Sequence, residues 1–199
     1  ENVNELSQYM QAYIDNPEIT LYNYYGNYNP AGSSFGKVRD GGTKNHQGLD
    51  IFAPKGTEVK ACLKGTVVEA NEADGNWGGL IVIEVTKEDL DRARKNYTLQ
   101  YTGEKEKGDS YGRGEKRYLR YAHLSEISVS VNQPVSAGMV IGKSGNTGNA
   151  SGQNVKARHL HFDISDIESP GRGIGDRENP AYYVRLVTPN ENKQKNNTD

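Results

Sequence analysis

The sequence predicts a mainly β protein built on an antiparallel sheet. From Leu49 to Val85, short runs rich in β-branched residues alternate with glycine-containing turns, a pattern typical of paired strands. Further runs of this kind recur in RYLRYAHL, PVSAGMVIGKSG and RHLHFDIS. Beyond the N-terminal residues the sequence has no periodic repeat and no long helical pattern, so we expect the sheet to dominate the core.

The N-terminal residues, 1–32, are predicted to form a short helix and then an irregular lead-in. Asn2 and Glu5 are placed as a capping box, and Asn16 with Pro17 as a helix stop. The stretch LYNYYGNYNP that follows is crowded with Tyr, Asn and Gly, which is typical of turns. The apolar residues that recur at helical spacing are Leu6, Tyr9, Met10, Tyr13 and Ile14.

The main domain is predicted at residues 33–186, with a charged insertion at 86–117 between two strands. Within the insertion, KEDLDRARKN is compatible with a short helix, whereas TGEKEKGDSYGRGEKR has almost no apolar residue and is typical of a solvated loop. The tail, 187–199, is predicted to be disordered because NENKQKNNTD has nothing to bury.

Length and charge narrow the classes of protein and partner. The chain has 199 residues, enough for one medium domain with a sizeable core. Its formal net charge is -2, and no dense basic stripe carries interleaved aromatic residues, so we expect no nucleic acid partner. No apolar run approaches the roughly 18 residues of a membrane span, so no transmembrane segment is predicted. Cys62 is the only cysteine, which excludes an intrachain disulfide, and we predict it to be a small buried hydrophobe.

The histidines carry the strongest chemical signal. In KARHLHFDIS, His159 and His161 are two residues apart and would share one face of a strand. In HQGLD, Gly48 lets the backbone bend, so that His46 and Asp50 can converge. Together with one histidine of the HLH motif they would make three N and O ligands, which is typical of a catalytic zinc site with one Zn²⁺ per chain. Such an ion keeps a fourth position for water and lowers the pKa of that water to about 7.

Each piece has an ordinary explanation when it is taken alone. An HxH pair is often two polar residues on a strand, and Asp50 could be a carboxylate that caps a turn. Taken together the pieces favour a metal site, because none of the four histidines, which include His123, is left over for another role.

The motifs HQGLD, YAHL and HLHF, in this order and in a glycine-rich β context, resemble the LytM/lysostaphin-type zinc metallopeptidases, peptidase family M23. The flanking stretches FGKVRDGG, APKGTEVKACLKGTVVEA and VNQPVSAGMVIGKSGNTG resemble the family too, and the likeness covers roughly residues 33–184. It implies an open substrate groove, a zinc site made by His46, Asp50 and His161, and His123 and His159 as the unliganded catalytic histidines. Which of these two is the general base stays open at this point.

Several neighbours of the motifs have alternative interpretations. Asp163, two residues beyond the second histidine of HLH, either orients an imidazole or is a simple surface carboxylate. Lys156 and Arg158 are expected close to the cleft, where they would alter its charge. The insertion at 86–117 is either a solvated decoration or a wall of the groove.

The lead-in suggests a further hypothesis, that an asparagine amide oxygen covers the metal and keeps the enzyme latent. The candidates are Asn23, Asn27 and Asn29. A lead-in that simply packs on the domain is the alternative.

The resemblance implies a zinc endopeptidase that acts on the stems or cross-bridges of bacterial peptidoglycan, outside the cytoplasm in the periplasm, the cell envelope or the medium. One alternative is a catalytically silent, cell-wall-binding regulator of other wall hydrolases. Another is a lipoyl or biotinyl carrier, but Lys64 in CLKG has the wrong neighbours for modification. The histidines and Asp50 favour the enzyme. The scissile bond and the oligomeric state are left open.

Overall fold

The computed structural model describes residues 10–95, 97–99, 114–187 and 194–196. A helix, α1, spans Lys87–Ala93, and short 3₁₀ turns include Pro30–Ser33, Gly148–Ala150, Val155–Ala157 and Pro180–Tyr182. The strands in chain order are β1 (Gly36–Arg39), β2 (Lys44–His46), β3 (Leu49–Phe52), β4 (Glu58–Lys60), β5 (Gly65–Asp74), β6 (Gly78–Thr86), β7 (Tyr97–Leu99), β8 (Lys116–Ile127), β9 (Pro134–Val135), β10 (Val140–Ser144), β11 (His159–Ser165), β12 (Arg177–Glu178) and β13 (Gln194–Asn196).

Nine of the described strands form one antiparallel sheet, which confirms the predicted mainly β fold. Its central path runs β12-β11-β8-β6-β5-β9, and β3, β4 and β10 join it from the side. The long strand β8 pairs with β6, β10 and β11. The neighbouring strand β11 pairs with β3 along its first half and with β12 at its end. Strands β8, β11 and β3 therefore lie side by side.

The two faces of this sheet are different. One face carries most of the buried apolar side chains, such as Tyr121 and Phe162, and forms the main core. On the other face Leu80, Val82 and Ala122 form a smaller apolar cluster. We call this second face the site face. Residues opposite each other in a ladder point to the same side of a sheet, so the pairing of His161 with Ala122 places that histidine on the site face.

The N-terminal segment differs from its prediction. Residues 1–9 of the predicted helix lie outside the described residues, and residues 10–14 are not helical. Met10, Tyr13 and Ile14 are buried, but the backbone of this segment is bonded elsewhere: the Gln11 N–H donates to the Cys62 carbonyl, and the Lys60 N–H donates to the Tyr13 carbonyl. These long-range hydrogen bonds replace the ones that a helix would have made.

The lead-in continues as an edge beside β3. The Phe52 N–H donates to the Glu18 carbonyl at 2.8 Å, and the Thr20 N–H donates to the Asp50 carbonyl at 3.0 Å. Between them Ile19 and Ile51 form an antiparallel bridge. Residues 18–20 therefore add a short strand-like edge to the part of the sheet that carries Asp50.

The charged connection between β6 and β8 contains the short helix that its sequence allowed. Thr86 caps α1, because its hydroxyl accepts from the Asp89 N–H, and Leu90 and Ala93 bury one side of the helix. The predicted solvated loop is residues 102–117; residues 102–113 lie outside the described residues, and Lys116 and Arg117 begin β8. Of the tail predicted to be disordered, residues 194–196 pair with β7 as β13, since backbone pairing requires no apolar side chain.

Two predictions about burial and membranes can be compared with the structure. Cys62 is a fully buried free thiol, as predicted, and burial raises its pKa. Among the described residues no helix has the length and apolar character needed to cross a bilayer.

Gly48 is required by a close approach of two strands. A Cβ atom built on it would lie 2.2 Å from the Phe162 carbonyl oxygen and 2.8 Å from the Asp163 Cβ. Its φ is not in the left-handed region, so the missing side chain, rather than unusual backbone freedom, brings the HQGLD turn against β11. This contact joins the two halves of the candidate site.

Candidate metal centre

Three strands bring three polar side chains to one buried point on the site face. His46 is the last residue of β2, Asp50 lies in β3, and His161 lies in β11 directly opposite Asp50. All three are at least 95% buried. These are the residues whose donor atoms could jointly hold a metal ion among the described residues.

The donor atoms of this group are almost equidistant. The His46 Nε2 lies 3.1 Å from the Asp50 Oδ1 and 3.3 Å from the His161 Nδ1, and the last two atoms are 3.0 Å apart. In a tetrahedral site with metal–ligand bonds of about 2.0–2.1 Å, two ligand atoms are separated by roughly 3.3 Å. The observed triangle is close to that size, so the three side chains fit a zinc ion.

The hydrogen bonds of the outer ring nitrogens determine which lone pairs face this point. The His46 Nδ1 lies 2.8 Å from the Ser34 carbonyl oxygen, which can only accept, so Nδ1 carries the proton and Nε2 presents its lone pair. The His161 Nε2 lies 3.2 Å from the Asp163 Oδ2 and donates to it, which leaves Nδ1 as the inner acceptor. Two lone pairs and a carboxylate oxygen face one another, an arrangement that a cation stabilises.

Asp50 is held ionised at the centre. Its Oδ2 accepts from the Arg39 Nη2 at 2.7 Å, and Arg39 itself is anchored by its Nε on the Gly32 carbonyl. Burial alone would raise the pKa of Asp50, but the nearby His159 and His46 hold it well below its usual value. Burial, together with the Arg39 guanidinium, lowers the pKa of His46 to about 4. A neutral imidazole and a carboxylate are the forms that bind zinc.

Asp163 connects the centre to two buried arginines. Its Oδ1 lies 3.2 Å from the Arg177 Nε and 3.4 Å from the Arg120 Nε, while its Oδ2 accepts from His161. Burial would raise the pKa of Asp163, but His161 and the two guanidinium groups lower it to about 2. Burial lowers the pKa of His161, and its hydrogen bonds to Asp163 and Asp50 outweigh this and raise it.

His123 and His159 lie beside the metal centre and outside the donor group. The two rings are 5.2 Å apart and nearly perpendicular. The His123 Nδ1 donates to the Thr147 carbonyl at 3.0 Å, and the His159 Nδ1 donates to the Ala157 carbonyl at 2.8 Å. Each histidine therefore keeps its Nε2 as an acceptor, and the His159 Nε2 lies 3.4 Å from the Asp50 Oδ1.

His123 reaches the site face through an unusual backbone. Its neighbour Ala122 already faces the site, so regular alternation would turn His123 toward the main core. Instead its φ is 61°, and the β6–β8 ladder shifts register between Gly79 and Ile81. The bulge turns a second consecutive side chain to the same face, and such left-handed residues are concentrated at functional sites.

The lead-in asparagines are engaged in local turns. The Asn23 Oδ1 accepts from the backbone N–H groups of Tyr25 and Asn27, and the Asn29 Oδ1 accepts from the Gly32 N–H. Neither oxygen has a bond to the metal centre. The latency hypothesis therefore loses two of its three candidate groups.

Sequence reasoning missed the arginines that support the site. Arg39 lies in FGKVRDGG, one of the stretches that flank the motifs, and its bond to Asp50 depends on a hairpin between β1 and β2. Arg120 lies two residues before Ala122 on the site-face alternation of β8, a signal that could have identified it. Arg177 lies 14 residues beyond Asp163, and no local pattern marks it.

The sequence matches a model of one protein family. The model, described as Peptidase family M23, matches residues 44–97 and 106–172, more than half of the chain. The matched ranges contain all four histidines and Asp50.

Two curated relatives and a solved structure are similar to the chain. Glycyl-glycine endopeptidase ALE-1 of Staphylococcus capitis is 34% identical over 118 residues, which are 59% of this chain and 24% of that protein. Lysostaphin of Staphylococcus staphylolyticus is 33% identical over 120 residues, 59% of this chain and 18% of that protein. The chain thus spans about a quarter or less of these relatives. The catalytic domain of the prophage-encoded M23 protein EnpA from Enterococcus faecalis superposes with a TM-score of 0.51 at 21% identity, over 76% of this chain and 88% of that one, and so shares the fold.

We expect Asp163→Asn to weaken zinc binding about 10- to 100-fold, as is usual when the group that orients a ligating histidine is changed. The amide keeps the size of the side chain but loses the charge that faces His161 and the two arginines. Competition with a chromophoric chelator would measure the affinity, and circular dichroism would report folding. Asp91→Asn, which removes a surface ion pair with Lys87, is the matched control and should bind zinc normally. Equal affinities for both variants would contradict this role of Asp163.

We expect His123 to make the metal-free protein less stable as the pH falls from about 6.5 toward 3. Burial, followed by the charges of His159 and His161, lowers its folded pKa to about 3, whereas the unfolded value is about 6.5. Between these values the unfolded chain binds the extra proton, so the free energy of unfolding drops by up to about 1.4 kcal/mol per pH unit.

The variant His123→Asn isolates this effect, because asparagine tolerates a positive φ and does not titrate. Urea denaturation between pH 7 and pH 5 should give a shallower pH dependence for the variant than for the parent protein. Identical slopes would show that His123 is protonated in the folded state as easily as in the unfolded chain.

Proposed function

Because the chain belongs to peptidase family M23, we propose that it is a zinc-dependent endopeptidase that hydrolyses peptide bonds in the stems or cross-bridges of bacterial peptidoglycan. The observation that carries the proposal is the triangle of inward-facing acceptor atoms on His46, Asp50 and His161. The name of ALE-1, a glycyl-glycine endopeptidase, supports a peptide bond as the target, and the peptidoglycan substrate follows from the resemblance of the motifs to the family. Such a substrate lies outside the cytoplasm, and we propose the same location for this protein.

The proposed chemistry divides between the metal and the two adjacent histidines. A zinc ion held by His46, Asp50 and His161 would supply a Lewis acid that polarises the scissile carbonyl and lowers the pKa of a water molecule. His123 and His159 each hold an Nε2 lone pair near this position, because their Nδ1–H groups are committed to backbone carbonyls. Either nitrogen can accept the proton of the attacking water and return it to the leaving amine.

The environment of these histidines fits that role. His159 keeps 15% of its side chain exposed and can meet a substrate, whereas His123 is almost fully buried beside the Trp77 ring, 6.5 Å away. The Trp77 ring also lies 5.1 Å from the His161 ring and covers the centre from one side. Partial exclusion of water strengthens the electrostatic interactions inside such a site.

The alternative function is that of a catalytically silent, wall-binding regulator. The experiments must distinguish it from an endopeptidase. All three donor residues and both neighbouring histidines are in place, which favours the enzyme. A regulator would need neither the aligned lone pairs nor the strained backbone of His123.

Chelator-stripped protein should release no peptides from purified peptidoglycan, and restored zinc should start the release. Mass spectrometry of the fragments, with the new amino ends labelled, would identify the scissile bond. Asp50→Asn should remain inactive with zinc, and Asp91→Asn should behave like the parent protein. Bound zinc without any released fragment would reject the endopeptidase and favour the regulator.

His123→Ala and His159→Ala should each bind zinc normally and lose about 10²- to 10⁴-fold in turnover, the usual contribution of a general acid or base. Zinc stoichiometry and single-turnover rates separate this result from loss of the metal. In the variant that lacks the general base, the plot of residual activity against pH should lose one of its two titration steps. Full activity in either variant would remove that histidine from the mechanism.

A further inference from the structure

An open pocket of about 460 Å³ lies beside the metal centre. Two parallel rows of opposed residues on the site face define its position. In the first row Asp50 is opposite His161, and in the second row Phe52 is opposite His159. The rows are two residues apart on each strand, or roughly 7 Å. Phe52 lines the pocket, so the pocket opens next to His159, within reach of a long side chain on a substrate residue adjacent to the scissile bond.

The interior of the pocket is mainly apolar. Leu21 contributes aliphatic surface from the lead-in, Val155 contributes from the segment before β11, and Phe52 is 41% exposed. Phe52 and Val155 are both exposed and lie together in this pocket, and grouped exposed apolar residues are typical of a binding site.

One charged group of the pocket is available for a ligand. Glu18 is half-buried, and its carboxylate has no hydrogen-bond or ion-pair partner among the described residues. Lys156 also lines the pocket, but its ammonium lies 5.4 Å from the centre of the Tyr22 ring in a cation–π contact. The pocket therefore offers, above an apolar surface, one carboxylate that has no hydrogen-bond or ion-pair partner among the described residues and one ammonium that is engaged with an aromatic ring.

The wall of the pocket is held in place by hydrogen bonds. The turn that contains Tyr22 and Tyr24 is fixed to the segment before β11, since the Tyr24 hydroxyl donates to the Ser151 carbonyl at 2.6 Å and the Asn154 N–H donates to the Tyr24 carbonyl at 2.9 Å. A Cβ on Gly26 would lie 2.9 Å from the Asn154 side chain, so the two segments are in close contact. A preformed wall favours a pocket that selects among ligands.

We propose that this pocket is a specificity site for a long aliphatic side chain that ends in an amino group, on a substrate residue next to the scissile bond. The proposal rests on the proposed peptidase function and adds to it the preferred residue. The aliphatic part would contact Phe52 and Val155, and the amino group would pair with Glu18. Glycine on this side of the bond leaves the pocket unfilled, so the substrate differs from one that has glycine on both sides.

Host–guest peptides test the proposal with the full chain loaded with zinc. Glycine pentapeptides with a central guest residue of glycine, norleucine, lysine or glutamate would be digested, and mass spectrometry would identify the cleaved bond and its rate. We expect bonds next to lysine to be cut fastest and those next to norleucine second, each faster than glycine by roughly 10- to 200-fold, the range of an apolar pocket.

Two variants test whether the pocket causes the preference for lysine and norleucine over glycine. Phe52→Ala should reduce the advantage of both lysine and norleucine over glycine at least about tenfold. Glu18→Gln, a change of almost equal size, should remove only the advantage of lysine over norleucine. Glu58→Gln on β4, also an exposed carboxylate, is the control and should keep every preference.

The outcomes separate this inference from the proposed function. Equal rates for all guests, a preference for glutamate, or preferences that survive both variants would overturn the specificity site while the peptidase stands. No cleavage of any peptide or of intact peptidoglycan by zinc-loaded protein would overturn the proposed function, and the specificity site with it.

Discussion

The structure depends on one buried juxtaposition, in which acceptor atoms from three strands face a common point. Acceptors 3.0–3.3 Å apart in a buried site repel one another unless a cation or a proton lies between them. The protein maintains this arrangement by fixing the outer ring nitrogen of each histidine. The Ser34 carbonyl accepts from His46, and the Asp163 carboxylate accepts from His161. The energy of this crowding is recovered when a metal ion binds, so folding and metal affinity are coupled.

The supporting charges extend this constraint through the sheet. Arg120 and Arg177 are buried against Asp163, and buried charges are costly unless they are paired and hydrogen-bonded. Arg177 donates through Nη1 to the carbonyl oxygens of Gly171 and Gly173, which attaches the loop between β11 and β12 to the site. An interaction that orients one imidazole thus also orders a surface loop, and a change in that loop can reach the metal through a single carboxylate.

Strands β3–β6, β8, β10 and β11 and the short helix α1 were predictable because their patterns are local. Alternation of side chains and glycine punctuation are properties of neighbouring residues, and they identified the sheet-dominated fold. The N-terminal segment shows where this reasoning fails. Its apolar spacing suits a helix, yet Gln11 and Tyr13 pair their backbones with Cys62 and Lys60, about 50 residues away. Met10, Tyr13 and Ile14 can be buried in either conformation, and the long-range hydrogen bonds decide between them.

The features of the candidate site also fall into those that local sequence patterns predict and those that depend on long-range contacts. The sequence by itself determined which residue types could carry the chemistry and that His159 and His161 share a face, because a strand repeats every two residues. The tertiary structure decided that Arg177 stands behind Asp163 and that a bulge turns His123 to the same side. These features are contacts and backbone distortions set by strands that meet only in the folded sheet, so no spacing along the chain encodes them.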